Sequence, residues 1–439
     1  KGAEVILVDA GAYSQGEVYV SDTKGLDAVE MMNVTGYDVV TLGNHEFDYG
    51  YAQLKENMTK ADFKILCANV YGEDGTPIFD ANYTYTTKSG VKIGFFGMET
   101  PEAQTKANPA LIQGLTFLGA KDMYAAAQAQ VDDLKARGAD AVICLAHLGV
   151  DSSSEPNTSY DLLKNVPDID FVIDGHSHSV MLPGAAKLQT GVDKDGNPIY
   201  IDNPHYELPI QSTGTKLAYV GVLIIDNKTK LPVGLEMLDL GQYEYEDAKV
   251  TAAAKAIMEP IDAEYSAVFA KSEVELNGDK EPGNRTQETN LGNLITDAMM
   301  WAIKTKAPGV DMTNAVALTN GGGIRAAIKV GDVTKKDIKT VLPFGNTIEV
   351  IYVTGNELLE ALEASTFCVP ESIGGFPQVS GISYTISTGA VYDANAETYP
   401  ASTYYGPKSI NRVTINSING KDFKLGDTYA VVTNNFSAA

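Results

Sequence analysis

Basic residues are scarce in this chain. Its 439 residues carry 33 Lys and Arg against 57 Asp and Glu, a formal charge of -24. So acidic a chain repels the phosphate backbone of nucleic acid, which excludes nonspecific DNA or RNA binding. An anionic small molecule requires metal ions or a few placed arginines to override that field locally. Cysteine is scarcer still. Cys67, Cys144 and Cys368 are scattered among apolar or small residues and form no CxxC pair, so neither a disulfide framework nor a thiolate metal site is indicated. Long hydrophobic runs are missing: stretches such as Lys92–Met98 fall far short of the ~20 residues a membrane span needs. No low-complexity tract occurs, and 44% apolar with 21% charged residues excludes disorder as the dominant state. No signal peptide is visible, since Lys1-Gly2-Ala3 leads directly into an apolar strand.

The length suits two or three domains. In the first half, short apolar runs alternate with helical patterns. Val5–Val8, Val39–Leu42, Ile93–Phe96, Ala141–Leu145 and Phe171–Ile173 read as strands. Between them, Leu26, Val29 and Met32 keep helical spacing, as do Met123, Ala127, Val131 and Leu134, with Gly138 as a stop. Alternating strands and helices predict a layered α/β domain. Residues from Tyr200 to Ile225 look richer in strand. From Tyr243 to Lys271 runs an Ala- and Glu-rich helical pattern, interrupted by Pro260, that suits an interdomain helix. The expected division is 1–242, a linker helix over 243–271, and a second α/β domain over 272–439. That domain has helical patterns at Leu291–Ile303 and Gly355–Ala364, a strand at Thr347–Val353 and a Gly-rich turn, Asn320–Gly323.

Histidine numbers only five, yet four follow directly on apolar strand runs. His45 lies in Gly43-Asn44-His45-Glu46, His147 in Ala146-His147-Leu148, and His176 and His178 in Asp174-Gly175-His176-Ser177-His178. Ligands of open α/β sheets bind at the C-terminal strand ends, so parallel strands would bring these imidazoles to one edge. Each alone reads as an ordinary core or surface residue, and His205 in Pro204-His205-Tyr206 keeps that reading. Together they point to a divalent metal such as Zn²⁺, Mn²⁺ or Fe²⁺.

Gly43-Asn44-His45-Glu46-Phe47-Asp48, Ala146-His147-Leu148 and Gly175-His176-Ser177-His178 resemble the calcineurin-like metallophosphoesterase core of the 5'-nucleotidase family. Arg285-Thr286-Gln287-Glu288-Thr289-Asn290-Leu291-Gly292-Asn293, Asn320-Gly321-Gly322-Gly323-Ile324-Arg325, Leu342-Pro343-Phe344-Gly345-Asn346 and Pro377-Gln378-Val379-Ser380-Gly381 resemble its C-terminal nucleotide-recognition domain. The ordered set spans nearly the whole chain and suggests the bacterial bifunctional 5'-nucleotidase/2',3'-cyclic phosphodiesterase type. The resemblance implies a four-layer α/β/β/α metallophosphoesterase domain, a linker helix and an α/β substrate-binding domain.

It also implies two divalent ions that bind a phosphate ester and activate water. Asn44, His147 and His176 then resemble ligands of one ion and His178 a ligand of the other. His45 would donate to the phosphoryl oxygens or leaving group, with Asp48 orienting its ring. Arg285, Asn320 and Arg325 would grip the nucleotide, and Phe344 and Phe436 would sandwich its base, a contact worth roughly 1–3 kcal/mol. The implied reaction is release of phosphate from nucleoside 5'-monophosphates, at an extracellular, cell-surface or periplasmic location.

Two departures stand against this pattern. The family's opening strand ends in an Asp-x-His pair, and this chain begins at what resembles the second strand. In Asp9-Ala10-Gly11-Ala12, the position resembling the carboxylate that bridges both ions is Ala12. A methyl group coordinates nothing, and with the Asp-x-His pair absent as well, one ion or none is expected in this chain, with impaired turnover. The chain also stops just before the family's Gly-Gly-Asp segment. Three alternatives therefore stand: a 5'-nucleotidase, a 2',3'-cyclic nucleotide phosphodiesterase/3'-nucleotidase or nucleotide di/triphosphate hydrolase, and a catalytically inactive nucleotide-binding protein.

Overall fold

A computed structural model describes residues 2–192, 196–367, 369–389 and 410–438. Cys368 lies outside the described residues. The chain divides into two compact units: residues up to Gln15 with Tyr19–Glu259, and Gly16–Val18 with Pro260 onward.

The first unit is built on two main sheets, with the two-stranded pairs Tyr219–Ile225/Pro232–Asp239 and Val70–Tyr71/Thr116–Phe117 besides. Val8–Asp9, Val39–Thr41 and Lys64–Leu66 pair in parallel, in that spatial order. The second sheet has eight strands, in the order Pro198–Asp202, Lys187–Val192, Val180–Met181, Ile210–Thr213, Phe171–Asp174, Ala141–His147, Lys92–Glu99 and Asn82–Thr86. Its centre is parallel, from Ile210–Thr213 to Lys92–Glu99, and antiparallel strands flank it. The central strands are apolar on both faces because both are covered, as buried parallel strands require. Val39, Leu66, Ile93, Phe95, Ile143, Leu145 and Phe171 fill the space between the sheets. Outside the first sheet lie the helices Leu26–Thr35 and Tyr51–Met58, and outside the second lie Ala120–Ala136 and Ser159–Asn165. Four layers, α/β/β/α, result. Gly97 lets the sheets meet, since a Cβ there would lie 2.2 Å from the Leu66 carbonyl oxygen.

The helix over Ala120–Ala136 buries Met123, Ala127, Val131 and Leu134, and each large apolar side chain so buried is worth about 1.5–3 kcal/mol. It ends where Gly138 takes a left-handed φ of 81° and Ala139 N–H closes back on the Leu134 carbonyl. The predicted strand at Val5–Val8 is shorter, forming only at Val8–Asp9. The expected helix over 243–271 is also trimmed. It spans Ala248–Tyr265, carries Pro260 within it, and gives way to a strand at Val268–Ser272. That strand pairs with Gly331–Thr334, a partner some sixty residues away that local helical spacing could not reveal.

The second unit is built on a four-stranded sheet in the order Ile348–Thr354, Thr428–Asn434, Ala315–Asn320 and Pro377–Ser380. Helices Asn290–Lys306 and Gly355–Thr366 pack on it through Met299 and Ile303 and through Leu358 and Leu362. Among the described residues, no helix is long and apolar enough to cross a membrane.

Candidate active site

The pairings of the central strands bring their C-terminal ends into line. Glu99 lies opposite His147, and Ala146 opposite Asp174. His147 and His176 consequently meet, with ring centroids 5.1 Å apart. His147 Nδ1 lies 2.7 Å from the Ala10 carbonyl oxygen. A carbonyl only accepts, so Nδ1 carries the proton and Nε2 keeps its lone pair. Burial, reinforced by neighbouring His176, holds this imidazole well below its usual pKa. Burial, then Lys106, lowers that of His176 as well, against the pull of Glu102. Both rings are therefore neutral donors at neutral pH.

Asn44 follows the Val39–Thr41 strand and is 2% exposed, and its Oδ1 has no hydrogen-bond partner. Gly43 before it stands against His147: a Cβ at Gly43 would lie 2.8 Å from His147 Nε2. An orphaned amide oxygen, two neutral imidazoles and a glycine that leaves room beside a lone pair fit one divalent ion. Among the described residues, no three His, Cys, Asp or Glu side chains are arranged to hold a metal. Position 12 offers only its methyl group. His178 lies two residues past His176, and both have left-handed backbones, φ 60° and 72°. Such conformations are sparse for non-glycine residues and concentrate at functional sites.

His45 begins the next turn. Its Nδ1 is 2.7 Å from Asp48 Oδ2 in a pair only 16% and 5% exposed, and Gln15 Nε2 donates to the same Asp48 oxygen at 3.4 Å. Nδ1–H is thereby committed to the carboxylate, which fixes the tautomer.

Several residues at this site escaped the sequence reading. Glu46 is 2% exposed and accepts backbone N–H groups from Gly43 at 2.6 Å, Ala12 at 2.7 Å and Ser14 at 2.9 Å. It ties the 12–14 loop to the Asn44–Asp48 turn and holds Ala12 in place at a left-handed φ of 67°. Burial outweighs these bonds and pushes Glu46 up to about 7. Glu102 reaches His176, and Glu99 is fully buried with neither carboxyl oxygen partnered. Burial first, then Glu46 and Glu102, raises Glu99 well above the usual carboxyl range. Asp174 accepts from Gly149 N–H at 3.1 Å, and burial raises it to about 7. The strand-end position that singled out the histidines also marks Glu99, Glu102 and Asp174.

The remaining predicted residues belong to the second unit. Arg325 stacks on Phe344, with 5.8 Å from guanidinium carbon to ring centroid, and donates to the Gly322 carbonyl at 3.3 Å. Asn320 accepts from Asn434 Nδ2 at 3.0 Å, while Gly321 and Gly322 N–H bond the Phe376 and Gly374 carbonyls. A Cβ at Gly321 would lie 1.9 Å from the Asn284 carbonyl oxygen, so glycine is required where the loop bearing Arg285 passes. Thr347 and Asn435 exchange hydrogen bonds, which brings the segments of Phe344 and Phe436 to one end of the sheet.

The family described as "5'-nucleotidase, C-terminal domain" matches residues 268–439, and "Bacterial capsule synthesis protein PGA_cap" matches residues 4–181. The trifunctional nucleotide phosphoesterase protein YfkN of Bacillus subtilis is 29% identical over 470 residues, covering 99% of this chain. The snake venom 5'-nucleotidase of Gloydius brevicauda is 29% identical over 395 residues, 87% of this chain. The chain spans only 29% of the first relative's length and 65% of the second's. Among solved structures, a 5'-nucleotidase precursor from Thermus thermophilus superposes with a TM-score of 0.78 at 29% identity, covering 100% of this chain and 81% of that one. With both halves of the fold, the ordered motifs and these relatives in agreement, residues 268–439 belong to the 5'-nucleotidase C-terminal domain family, and the chain as a whole is similar to 5'-nucleotidases.

Proposed function

We propose that this protein is a metal-dependent phosphomonoester hydrolase that releases phosphate from nucleoside 5'-monophosphates, and that Ala12 impairs it in this form. The supporting observation is the His147–His176 pair at the strand ends, with Gly43 packed against His147 and followed by the orphaned Asn44 Oδ1 and the His45–Asp48 pair. Asn44, His147 and His176 would hold a divalent ion such as Zn²⁺ or Mn²⁺. When bound, that ion supplies positive charge to the phosphoryl oxygens and acidifies a water. His45 would donate from Nε2 to the oxygen on which charge develops as the ester bond breaks. Asp48, accepting Nδ1–H, keeps the ring in the required tautomer and steadies the charged form. Arg285, Asn320 and Arg325 would fix the nucleotide's polar groups, and Phe344 and Phe436 its base. The venom relative's name is consistent with work outside the cytoplasm.

Two other readings have a specific observation behind each. The trifunctional name of the Bacillus relative favours a wider range that includes 2',3'-cyclic esters, 3'-nucleotides or nucleotide di- and triphosphates. The methyl group of Ala12 favours an inactive nucleotide binder.

Phosphate release from 5'-AMP, 2',3'-cyclic AMP and ADP, with Mn²⁺ in excess, tests all three in the parent and in Ala12→Asp. Asp tolerates the left-handed backbone already present at position 12 better than most residues do. The expected result is little or no release by the parent and a measurable gain on 5'-AMP in the variant, below the ordinary range of roughly 1–10³ s⁻¹ because position 12 is one of two departures. Nucleotide binding without hydrolysis in both proteins would overturn the enzyme reading.

A further inference from the structure

The environment of His176 decides which of its nitrogens carries the proton. Nε2 lies 2.6 Å from Glu102 Oε2, and Lys106 Nζ approaches that same oxygen at 2.9 Å. The other carboxyl oxygen accepts from Ser154 Oγ at 3.1 Å. Glu102 and Ser154 are each only 3% exposed, so these partners are not exchanged with water. Lys106 Nζ also stands 3.5 Å from Nε2 itself, but the carboxylate oxygen, which only accepts, is far closer at 2.6 Å, and this shorter contact places the ring proton on Nε2. The lone pair of the neutral ring is then on Nδ1. His147 is set the opposite way, with Nδ1–H on the Ala10 carbonyl and the lone pair on Nε2. Each ring therefore has one nitrogen tied and one available, and the available atoms differ. The left-handed backbone at His176 is one that few side chains favour, so ring orientation there depends on an external hold.

We propose that Glu102 is a positioning residue of the metal centre, fixing His176 in the Nε2–H tautomer so that Nδ1 serves as the donor toward a divalent cation. The proposal rests on the metal reading above. Lys106 and Ser154 hold the carboxylate in place for that task. A carboxylate behind a ligating histidine fixes its tautomer and raises its basicity, and losing such a partner costs about 10–100-fold in metal affinity. Glu102 lies 74 residues from His176 in the chain, on the turn after the Lys92–Glu99 strand, and only the parallel strand order brings them together.

Two measurements on the full chain test this. Nitrogen-15 shifts of the His176 ring, recorded without metal, report the tautomer in the parent. Mn²⁺ uptake, followed by electron paramagnetic resonance, compares the parent with Glu102→Leu and Glu102→Gln. The expected result is an Nε2–H tautomer in the parent and affinity weakened about 10–100-fold in the Leu variant. Glu102→Gln, which keeps an acceptor oxygen, should recover most of that loss. An Nδ1–H tautomer, an unchanged affinity in Glu102→Leu, or equal losses in both variants would overturn this inference alone. A parent that takes up no Mn²⁺ at millimolar concentration would overturn it together with the metal reading. If the Leu variant does not fold, the parent's tautomer decides.

Discussion

Glu46 gives the most direct test of how the site is built, because its effect on stability does not depend on any activity. Its carboxylate accepts three backbone N–H groups, from Gly43, Ala12 and Ser14, at 2.6–2.9 Å. Glu46→Ala removes all three acceptors at once. Gly43 and Ser14 are buried, so water cannot replace the lost acceptor there, whereas half-buried Ala12 can be rehydrated. Two stranded donors at about 1–3 kcal/mol each give about 2–6 kcal/mol. Relief of the burial penalty that raises Glu46 to about 7 offsets part of this, leaving about 2–4 kcal/mol. For a unit of this size, 1 kcal/mol moves the midpoint by about 2–4 °C, so Tm should fall by about 4–16 °C. Calorimetry in EDTA reads that shift without interference from metal binding. Glu46→Asp, too short to reach all three amides, should fall between parent and Ala. A drop of less than about 2 °C in Glu46→Ala would refute the view that this carboxylate clamps the two loops.

Other expectations follow from the same geometry. Glu99 is fully buried with both oxygens unpartnered, so Glu99→Met should raise Tm, by about 1–3 kcal/mol of stability; an equal loss would show that the acid has a partner in solution. Burial raises Asp9 to about 6 and Asp174 to about 7, both above the ordinary value of 3.8. The folded state thus holds these protons after the unfolded chain has released them. Their contribution is full below about pH 4 and is lost as pH climbs through 6 and 7. Lowered His147 and His176 act the other way at about pH 6, but Glu46 and Glu99 are raised too and outweigh them. Tm in EDTA should therefore be lower at about pH 8 than at pH 5.5, and a rise would contradict the assignment. In the Ala12→Asp background, Phe344→Ala should raise KM for 5'-AMP several-fold with little change in kcat, since ring stacking binds ground and transition states alike; a matching loss in kcat would place the ring nearer the chemistry.

Much of the architecture was legible because it is local. Buried strands announce themselves as apolar runs and the amphipathic helices by their spacing, and the rule that ligands gather at C-terminal strand ends picked out His147 and His176 without any coordinates. The helix predicted over 243–271 shows where local signals fail. Val268–Ser272, which overlaps its last four residues, forms a strand because Gly331–Thr334 offers a ladder of hydrogen bonds, and that pairing outweighs helical spacing.

What the sequence alone determined, then, was a two-part α/β chain with imidazoles placed at strand ends, an acidic surface hostile to polyanions, and a methyl group where a carboxylate would be expected. The tertiary structure decided which atom of each imidazole is available and which carboxylates face it. Glu46 beneath Ala12, Ala10 behind His147 and Glu102 behind His176 are separated in sequence by 34, 137 and 74 residues. Hydrogen bonds over such distances depend on strand register and sheet packing. A one-residue slip would turn those side chains to the opposite face, and no short-range pattern along the chain encodes that.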